Sequence, residues 1–279
     1  MFEKNKQTAV FTLPFPAHEL PTNTKVYRTL LVPEWKETEC LTIWEPRIRE
    51  CIIGTPQKKY IDFDNSYSPT ADGCTIKCQI AYTAATDAYL FIVDIKNAFQ
   101  NTIAKVMDRL YVTTPPTYLE WLHHEEGFQY SRDATYYRIM LNSNQGTRDA
   151  GNCWWNLLRK VLNEYKLFPT NVDHAFLVKE YPDKSKMFVS VATDDLLCTV
   201  LTYKHAKDFI AFIETFFTVS TQMGPVLNFL GLHIIQSPHC ITMDQGAYVM
   251  EALTKFFGED VDKVKAISTP MRYDSEFER

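Results

Sequence analysis

Two apolar runs flank a pair of acidic residues in the stretch Met187-Phe-Val-Ser-Val-Ala-Thr-Asp-Asp-Leu-Leu-Cys-Thr-Val-Leu201. Each run has the length and the β-branched content of a strand, and the polar residues between them suit a tight turn. The stretch therefore predicts a β-hairpin with Asp194 and Asp195 at its tip. An isolated Asp-Asp pair in a turn is usually explained by turn chemistry alone.

A third acidic residue, Asp94, ends another apolar run, Tyr89-Leu-Phe-Ile-Val-Asp94, about a hundred residues before the hairpin. Mg²⁺ prefers a few carboxylate oxygens and completes its coordination shell with water and substrate phosphates. Two such ions, about 3.5–4 Å apart, can hold the attacking and leaving oxygens of a phosphoryl transfer. We therefore predict that Asp94, Asp194 and Asp195 bind two Mg²⁺ ions, for which Mn²⁺ is a substitute.

The order of the predicted elements indicates the fold class. From Tyr89 onward the pattern gives strand, helix, strand, strand, helix and strand, with one extra short strand before the hairpin. The helices are predicted at 147–166 and 205–219, and the strands at 89–94, 175–180, 187–193, 196–202 and 228–236. This order is a split β-α-β, an α+β arrangement with helices on one face of an antiparallel sheet. Its two central strands are neighbours, which would place Asp94 beside the hairpin tip.

The remaining segments are less regular. Strands are predicted at 24–33 and 47–53, helices at 75–85 and 248–257, and an irregular stretch at 113–133. That stretch contains His123-His124-Glu125-Glu126, whose side chains are potential metal ligands. Adjacent helical residues point about 100° apart, so a solvated surface is favoured over a metal site.

Composition narrows the classes of protein. The 279 residues carry a net charge of −5, which counts against strong non-specific binding to nucleic acid, although Arg47, Arg49, Lys58 and Lys59 form a local basic cluster. The seven cysteines lack metal-ligand spacing and are expected to be free thiols in a reducing compartment. No apolar run approaches the roughly 18 residues of a membrane helix, and no signal-peptide core is found. We expect an intracellular protein that is not secreted and has no membrane partner.

Several blocks of sequence follow one another in a characteristic order. They are Arg47-Ile-Arg-Glu-Cys-Ile-Ile-Gly54, Ile61-Asp-Phe63 through Pro69, Val93-Asp-Ile-Lys-Asn-Ala-Phe99, Gln145-Gly-Thr-Arg-Asp-Ala150 through Trp154, Ala192-Thr-Asp-Asp195, Asn228-Phe-Leu-Gly231 and Ser268-Thr-Pro-Met271. Together they resemble the reverse transcriptase of Ty1/copia-type retrotransposons over nearly the whole chain. Any one block is a weak signal, whereas the collinear set is specific.

The resemblance implies a right-hand polymerase of fingers and palm. We expect an extended lead-in at 1–22, fingers at 23–88, a palm at 89–240 with part of the fingers inserted at about 105–145, and the start of a short or truncated thumb or connection at 241–279. The three aspartates would be the catalytic, metal-binding carboxylates. The residues that would bind the incoming nucleotide are Arg49 at the triphosphate, Phe99 as the steric gate at the sugar, and Gln145, Gly146 and Arg148. The stretch 228–233 would lie near the primer.

The implied activity is RNA-directed DNA polymerisation, with dNTPs, an RNA template and a DNA primer as partners. Integrase and RNase H from the same polyprotein are further expected partners, in a cytoplasmic virus-like particle or in the nucleus. The chain departs from the family pattern at Ala192-Thr193, where the family has Tyr-Val, and at Asp149 and Gly151, where it has Gln and Pro.

Two alternatives remain open. One is a catalytically inactive remnant of a retroelement that binds nucleic acid weakly at most. The other is a different two-metal phosphotransferase, such as a nuclease, against which the blocks at Phe99, Gln145-Gly146 and Phe229-Leu-Gly231 argue.

Overall fold

A computed structural model of the chain describes residues 10–37, 44–102, 110–238 and 240–258. Residues 1–9 of the predicted lead-in at 1–22, the block Ser268-Thr-Pro-Met271 and part of the predicted fingers insertion lie outside these ranges. The chain divides after Gln222 into two compact units, Met1–Gln222 and Met223–Arg279. Each unit is described by itself below.

The described strands and helices follow one another along the chain. The strands are β1 Phe15–Pro16, β2 Val26–Tyr27, β3 Thr29–Glu37, β4 Trp44–Ile52, β5 Tyr89–Ile95, β6 Tyr111–Thr113, β7 Tyr136–Ile139, β8 Phe168–Pro169, β9 Phe176–Glu180, β10 Lys186–Ala192, β11 Asp195–Val200, β12 Val219–Gln222, β13 Val226–Phe229, β14 Leu232–Ser237 and β15 Cys240–Asp244. The helices are α1 Gly73–Thr86, α2 Pro116–Glu126, α3 Ala150–Glu164, α4 Tyr203–Glu214 and α5 Gly246–Phe257, and short 3-10 helices lie at Ala17–Glu19 and Ala98–Asn101.

The largest sheet has the strand order β12-β5-β11-β10-β9-β8, with antiparallel neighbours throughout. β5 and β11 are neighbouring inner strands, as the split β-α-β pattern predicted. Their inner residues are almost fully buried and apolar, from Leu90 to Val93 on β5 and from Leu196 to Val200 on β11, apart from Thr199. Burial of these runs, at about 25 cal/mol per Å² of apolar surface, holds the two strands in register.

Helices cover both faces of this sheet. On one face, Phe209 of α4 contacts Phe91 of β5, with ring centroids 6.5 Å apart. On the other, the Gln79 side chain of α1 donates to Leu197 O at 3.0 Å and accepts from Ser190 Oγ at 2.6 Å. The expectation of helices on one face was incomplete, because α1 precedes the predicted β-α-β unit and covers the second face. Burial on two faces also explains why the strands are continuous apolar runs.

A second sheet, of order β1-β7-β6-β2, and the β3–β4 hairpin complete the first unit. Their shared core contains Tyr27, Ile52, Leu110, Val112 and Met140. A buried ion pair joins β7 to β4, in which both guanidinium Nη atoms of Arg138 donate to the Glu50 carboxylate. The Arg138 guanidinium also lies 4.4 Å from the ring centroid of Phe11 and 4.9 Å from that of Tyr118.

Three predictions from the sequence differ from the structure. The predicted strand 24–33 is divided into β2 and β3. Residues 116–126, predicted to be irregular, form α2, because Pro116 occupies the first helical turn and Gly127 ends the helix with φ 69°. The single strand predicted at 228–236 is a hairpin of β13 and β14, because Leu230 and Gly231 both adopt positive φ.

The second unit contains the three-stranded sheet β13-β14-β15 and α5. In the first unit, the side chains of His123, His124, Glu125 and Glu126 are exposed on α2, in agreement with a solvated surface. No described helix has both the length and the hydropathy required to span a membrane.

Candidate active site

Two acidic residues face each other across the centre of the main sheet. Asp94 on β5 and Asp195 on β11 are directly paired in the antiparallel register. Asp194 belongs to the turn that joins β10 to β11, and its carbonyl oxygen accepts a hydrogen bond from Ile95 N at 2.9 Å. The topology therefore brings together, at one end of two neighbouring strands, three aspartates that are far apart in sequence.

Asp94 is held by two side chains that the sequence did not single out. Its Oδ2 accepts hydrogen bonds from Lys96 Nζ and, at 2.9 Å, from Ser220 Oγ. Ser220 lies on β12, directly opposite Asp94 in the register. The ammonium group of Lys96 offsets part of the negative charge of the three carboxylates, and Ser220 fixes one oxygen of Asp94.

The surroundings of the two hairpin aspartates favour their protonated forms. Burial raises the pKa of Asp194, and the neighbouring Asp94 raises it further, while Lys96 and Arg49 act in the opposite direction. Burial also raises the pKa of Asp195 to about 6, with added repulsion from Asp194 and Asp94. Like charges in a partly buried space disfavour ionisation, and a bound cation would reverse that preference.

The tight turn at 193–194 is fixed by neighbours. Thr193 adopts a positive φ of 56°, which is uncommon for a β-branched residue. The buried indole of Trp154 on α3 donates from Nε1 to Thr193 O at 2.6 Å. Ala71 N donates to Val191 O at 2.9 Å, next to the same turn. A strained conformation of this kind persists only where its surroundings determine it.

Arg49 lies on β4 and is near enough to Asp194 to lower its pKa. Its Nε is 3.1 Å from Glu34 Oε2 on β3, an ion pair in which Nε is not aligned for a hydrogen bond. The Arg49 side chain as a whole is 40% exposed, although its Nε atom is buried. Arg49 is therefore on the same side of the unit as the carboxylates.

Gln145, Gly146 and Arg148 form a junction with β4 and the loop after it. Ile52 N donates to Gln145 O at 2.8 Å, and Arg148 N donates to Gln57 Oε1 at 2.8 Å. Gly146 has φ 93°, and a Cβ atom there would be 2.0 Å from Ile52 O. The contacts of these three residues are thus with the β4 side of the unit, and their predicted role in nucleotide binding stays a prediction.

Phe99 lies in the short helix Ala98–Asn101 that follows β5. Its side chain is half-buried, and its carbonyl oxygen accepts from Thr102 N at 3.1 Å. The short helix packs against α3. Phe99 is thus one short turn beyond Asp94, at the end of the sheet where the carboxylates lie.

The donor set suits a hard divalent cation. The available ligands are partly buried carboxylates whose mutual repulsion a cation would relieve. Within the described residues, no group of three or more His, Cys, Asp or Glu side chains is already arranged around one point. Mg²⁺ does not need such a group, since it is usually bound by one or two carboxylates together with water and substrate phosphates.

The sequence reasoning missed Lys96, Ser220 and Trp154 as parts of this site. Lys96 lies inside the block 93–99, so its position two residues after Asp94 was a usable signal. Ser220 and Trp154 act through strand register and helix packing, which no local pattern reveals.

Partly buried aspartates grouped at one end of a sheet supply the kind of oxygen ligand that hard divalent cations prefer. Residues 16–272 match the family described as reverse transcriptase (RNA-dependent DNA polymerase). The chain belongs to this reverse transcriptase family.

Known proteins of two kinds illustrate what the chain is similar to. One is the retrovirus-related Pol polyprotein from transposon TNT 1-94 of Nicotiana tabacum, 22% identical over 241 residues. That match covers 85% of this chain and 17% of the polyprotein. The other is the structure of telomerase from Candida albicans in complex with a fragment of telomeric RNA, with a TM-score of 0.45, 10% identity, and coverage of 92% of this chain and 54% of that chain.

Proposed function

We propose that the chain is the RNA-directed DNA polymerase domain of a copia-type retrotransposon polyprotein. It would add deoxynucleotides to the 3′-hydroxyl of a DNA primer on an RNA template. The observation that carries the proposal is the pairing of Asp94 with Asp195 on neighbouring inner strands, with Asp194 in the adjoining turn. In this proposal the fingers comprise 23–88, the palm 89–240 and the start of a thumb 241–279.

Asp94, Asp194 and Asp195 would hold two Mg²⁺ ions, with Mn²⁺ as a substitute. When bound, the ions would activate the primer hydroxyl and neutralise the leaving pyrophosphate. The carboxylates must be ionised to bind them. Because burial raises the pKa of Asp195 to about 6, its readiness for metal is lost in mild acid.

The remaining residues would position the substrates. Arg49 would exchange its contact with Glu34 for the triphosphate, to which a guanidinium presents a fixed fork of donors. Phe99 would lie against the sugar and exclude a 2′-hydroxyl. Gln145, Gly146 and Arg148 would line the nucleotide site from the β4 side. The catalytic effect of such a site comes from positioning and from electrostatic stabilisation of charge.

Primer extension tests this proposal. The purified protein should incorporate dTTP on poly(rA)/oligo(dT) with Mg²⁺, and Asp194→Asn should lower incorporation by at least about a hundredfold, since charge stabilisation of this kind typically supplies that much. Asp87→Asn is the matched control, because Asp87 is exposed and has the left-handed conformation that Asn tolerates equally well. A folded wild-type protein that extends no better than Asp194→Asn would refute the proposal.

An inactive retroelement remnant is the alternative proposal. It is favoured by the net charge of −5 and by Asp149, where the family has Gln. It predicts that Mg²⁺ leaves the unfolding temperature unchanged, whereas the polymerase proposal predicts stabilisation that depends on Asp195.

A further inference from the structure

The loop from Pro56 to Phe63 is fixed by one carboxylate. Asp62 Oδ2 accepts from Lys25 Nζ and from Lys58 N, both at 2.6 Å, and Oδ1 accepts from Tyr27 OH at 2.6 Å. Charge-assisted hydrogen bonds of this kind are about twice as strong as neutral ones. The loop therefore has one defined conformation on the surface of the first unit.

Tyr60 lies at the tip of this loop in a strained conformation. Its φ is 66°, a left-handed value that costs a bulky residue roughly 1–2 kcal/mol and costs glycine almost nothing. Its backbone N donates to Phe63 O at 2.7 Å, which closes the turn. The residue is 76% exposed, so burial of the ring does not compensate for the strain. Strain that packing does not repay is typical of functional positions.

One cationic side chain lies against the ring, and a second precedes it in the chain. Lys58 and Lys59 are both exposed, and Lys59 Nζ lies 4.9 Å from the centroid of the Tyr60 ring. An exposed aromatic ring beside cations is the combination with which proteins bind unpaired nucleotides, because the base stacks on the ring and the cations contact the phosphates. The bases at the end of a duplex are paired and are therefore not free to stack on the ring in this way.

The base of the loop joins the predicted nucleotide site. Gln57 Oε1 accepts from Arg148 N at 2.8 Å, and Arg148 Nε is 3.4 Å from Gly54 O. The loop is therefore built onto the segment that precedes α3.

We propose that the loop at 56–63 is a binding site for single-stranded nucleic acid, in which Tyr60 stacks on one unpaired base and Lys58 and Lys59 contact its phosphates. The inference rests on the proposed polymerase function for its biological substrate, the unpaired template. The binding itself needs neither catalysis nor a nucleotide.

The test is the affinity of the full chain for fluorescein-labelled oligo(rU) of about 12 nucleotides, followed by anisotropy without metal or dNTP. Tyr60→Gly removes the ring and also relieves the backbone strain. We expect it to weaken binding about tenfold, the effect of losing one stacked base, while the unfolding temperature stays equal or rises. Tyr60→Phe should bind within about twofold of the wild type, because the stacking face is kept.

The lysines should show a different signature. The double variant Lys58→Gln, Lys59→Gln should reduce the slope of log affinity against log salt by about 1.4, since each phosphate contact on a single strand contributes about 0.7. Tyr60→Gly should leave that slope unchanged. Oligo(dT) should behave as oligo(rU) does, and a blunt RNA hairpin should show no effect of Tyr60.

The matched control is Tyr203→Ala, on a tyrosine that is 47% exposed and has Lys207 Nζ 5.0 Å from its ring centroid. It should bind oligo(rU) as the wild type does. Wild-type affinity in Tyr60→Gly, or a loss of affinity that accompanies a lower unfolding temperature, would overturn the inference. Binding that depends on Tyr60 in a protein without primer extension would support the loop site and refute only the polymerase proposal.

Discussion

Burial of the Asp195 carboxyl group raises its pKa to about 6, and repulsion from the two neighbouring carboxyl groups of Asp194 and Asp94 adds to the effect. The unfolded chain has a pKa near 3.9 for the same group. Because folding favours the protonated form, Asp195 makes its full contribution to the free energy of unfolding below about pH 4. That contribution is lost as the pH rises through about 6. At neutral pH and without a bound metal ion, the ionised Asp195 carboxylate therefore lowers the free energy of unfolding.

Asp195→Asn should remove that cost. We expect the variant to be more stable than the wild type by roughly 1 kcal/mol at about pH 7.5 in EDTA, after allowance for the exposed part of the group. The gain should vanish below about pH 3, where the group is protonated in both the folded and the unfolded state. Thermal unfolding at the two pH values measures it, and Mg²⁺ should stabilise the wild type only.

Asp62→Asn is the control, because its expected effect on the free energy of unfolding is opposite in sign to that of Asp195→Asn. Burial disfavours the charged form of Asp62, but hydrogen bonds from Lys25, Tyr27 and the Lys58 backbone outweigh it and lower the pKa. Its contribution is present above the unfolded pKa and is lost as the pH falls through the folded value. Asp62→Asn should therefore destabilise the protein at neutral pH. A neutral-pH loss in both variants would contradict the account of Asp195.

Among the elements, β4 and the segment before α3 make an unusually close backbone contact. Gly146 approaches Ile52 O, and the position of a Cβ on Gly54 would be 2.1 Å from Gly146 O. Two glycines thus allow the strand and the segment to touch. This contact sets where Gln145 and Arg148 lie relative to Arg49.

Gly146→Ala should separate these elements. The added Cβ meets backbone 2.0 Å away, and φ 93° is also unfavourable for alanine, so we expect a loss on the order of 3 kcal/mol in denaturant unfolding. Gly127→Ala is matched, since φ is 69° but nothing lies within 4 Å, and should cost about 1 kcal/mol. Equal losses would show that backbone strain alone, and not the close contact, is responsible.

For some elements, the local sequence pattern was enough to predict the observed secondary structure. The hairpin of β10 and β11 was predicted because both strands are apolar runs and the turn between them is polar. Helix α2 differs from the predicted irregular stretch because the pair Pro115-Pro116 is typical of loops, although proline is also tolerated in a first helical turn. The turn at Leu230-Gly231 was missed because leucine with φ 51° carries no turn signal.

For the candidate site, sequence reasoning located the carboxylates but not their supports. Strand ends are local features, and the element order restricts which ends can meet, so Asp94 could be placed beside Asp195. The hydrogen bonds of Asp94 with Ser220 and of Thr193 with Trp154 join residues 126 and 39 positions apart. Such partners depend on the final register and on how helices pack, which single-sequence periodicity does not encode.

At the scale of the whole molecule, the main sheet is complete at Gln222, where the first compact unit ends. β12 is its last strand and covers the edge of β5 that carries Asp94. The strands and helix after Gln222 belong to a separate unit with its own sheet.

The thermal stability of a truncated chain should therefore depend on whether residues 218–222 are kept. A chain ending at Gln222 should unfold cooperatively within about 5 °C of the full chain, because every strand of the main sheet is retained. A chain ending at Phe217 loses β12 and Ser220 and should melt about 10 °C lower. Calorimetry distinguishes them, and equal melting of the two fragments would show that β12 does not support the site.

The ion pair of Arg138 with Glu50 limits which substitutions the fold accepts at these two positions. Both side chains are almost fully buried. Removing either charge leaves the other unpaired in the interior and lowers the free energy of unfolding by about 3–5 kcal/mol, whereas an apolar pair of similar volume is tolerated. Neither position can therefore be substituted on its own without this loss, whereas a paired replacement of Arg138 and Glu50 by apolar residues avoids it.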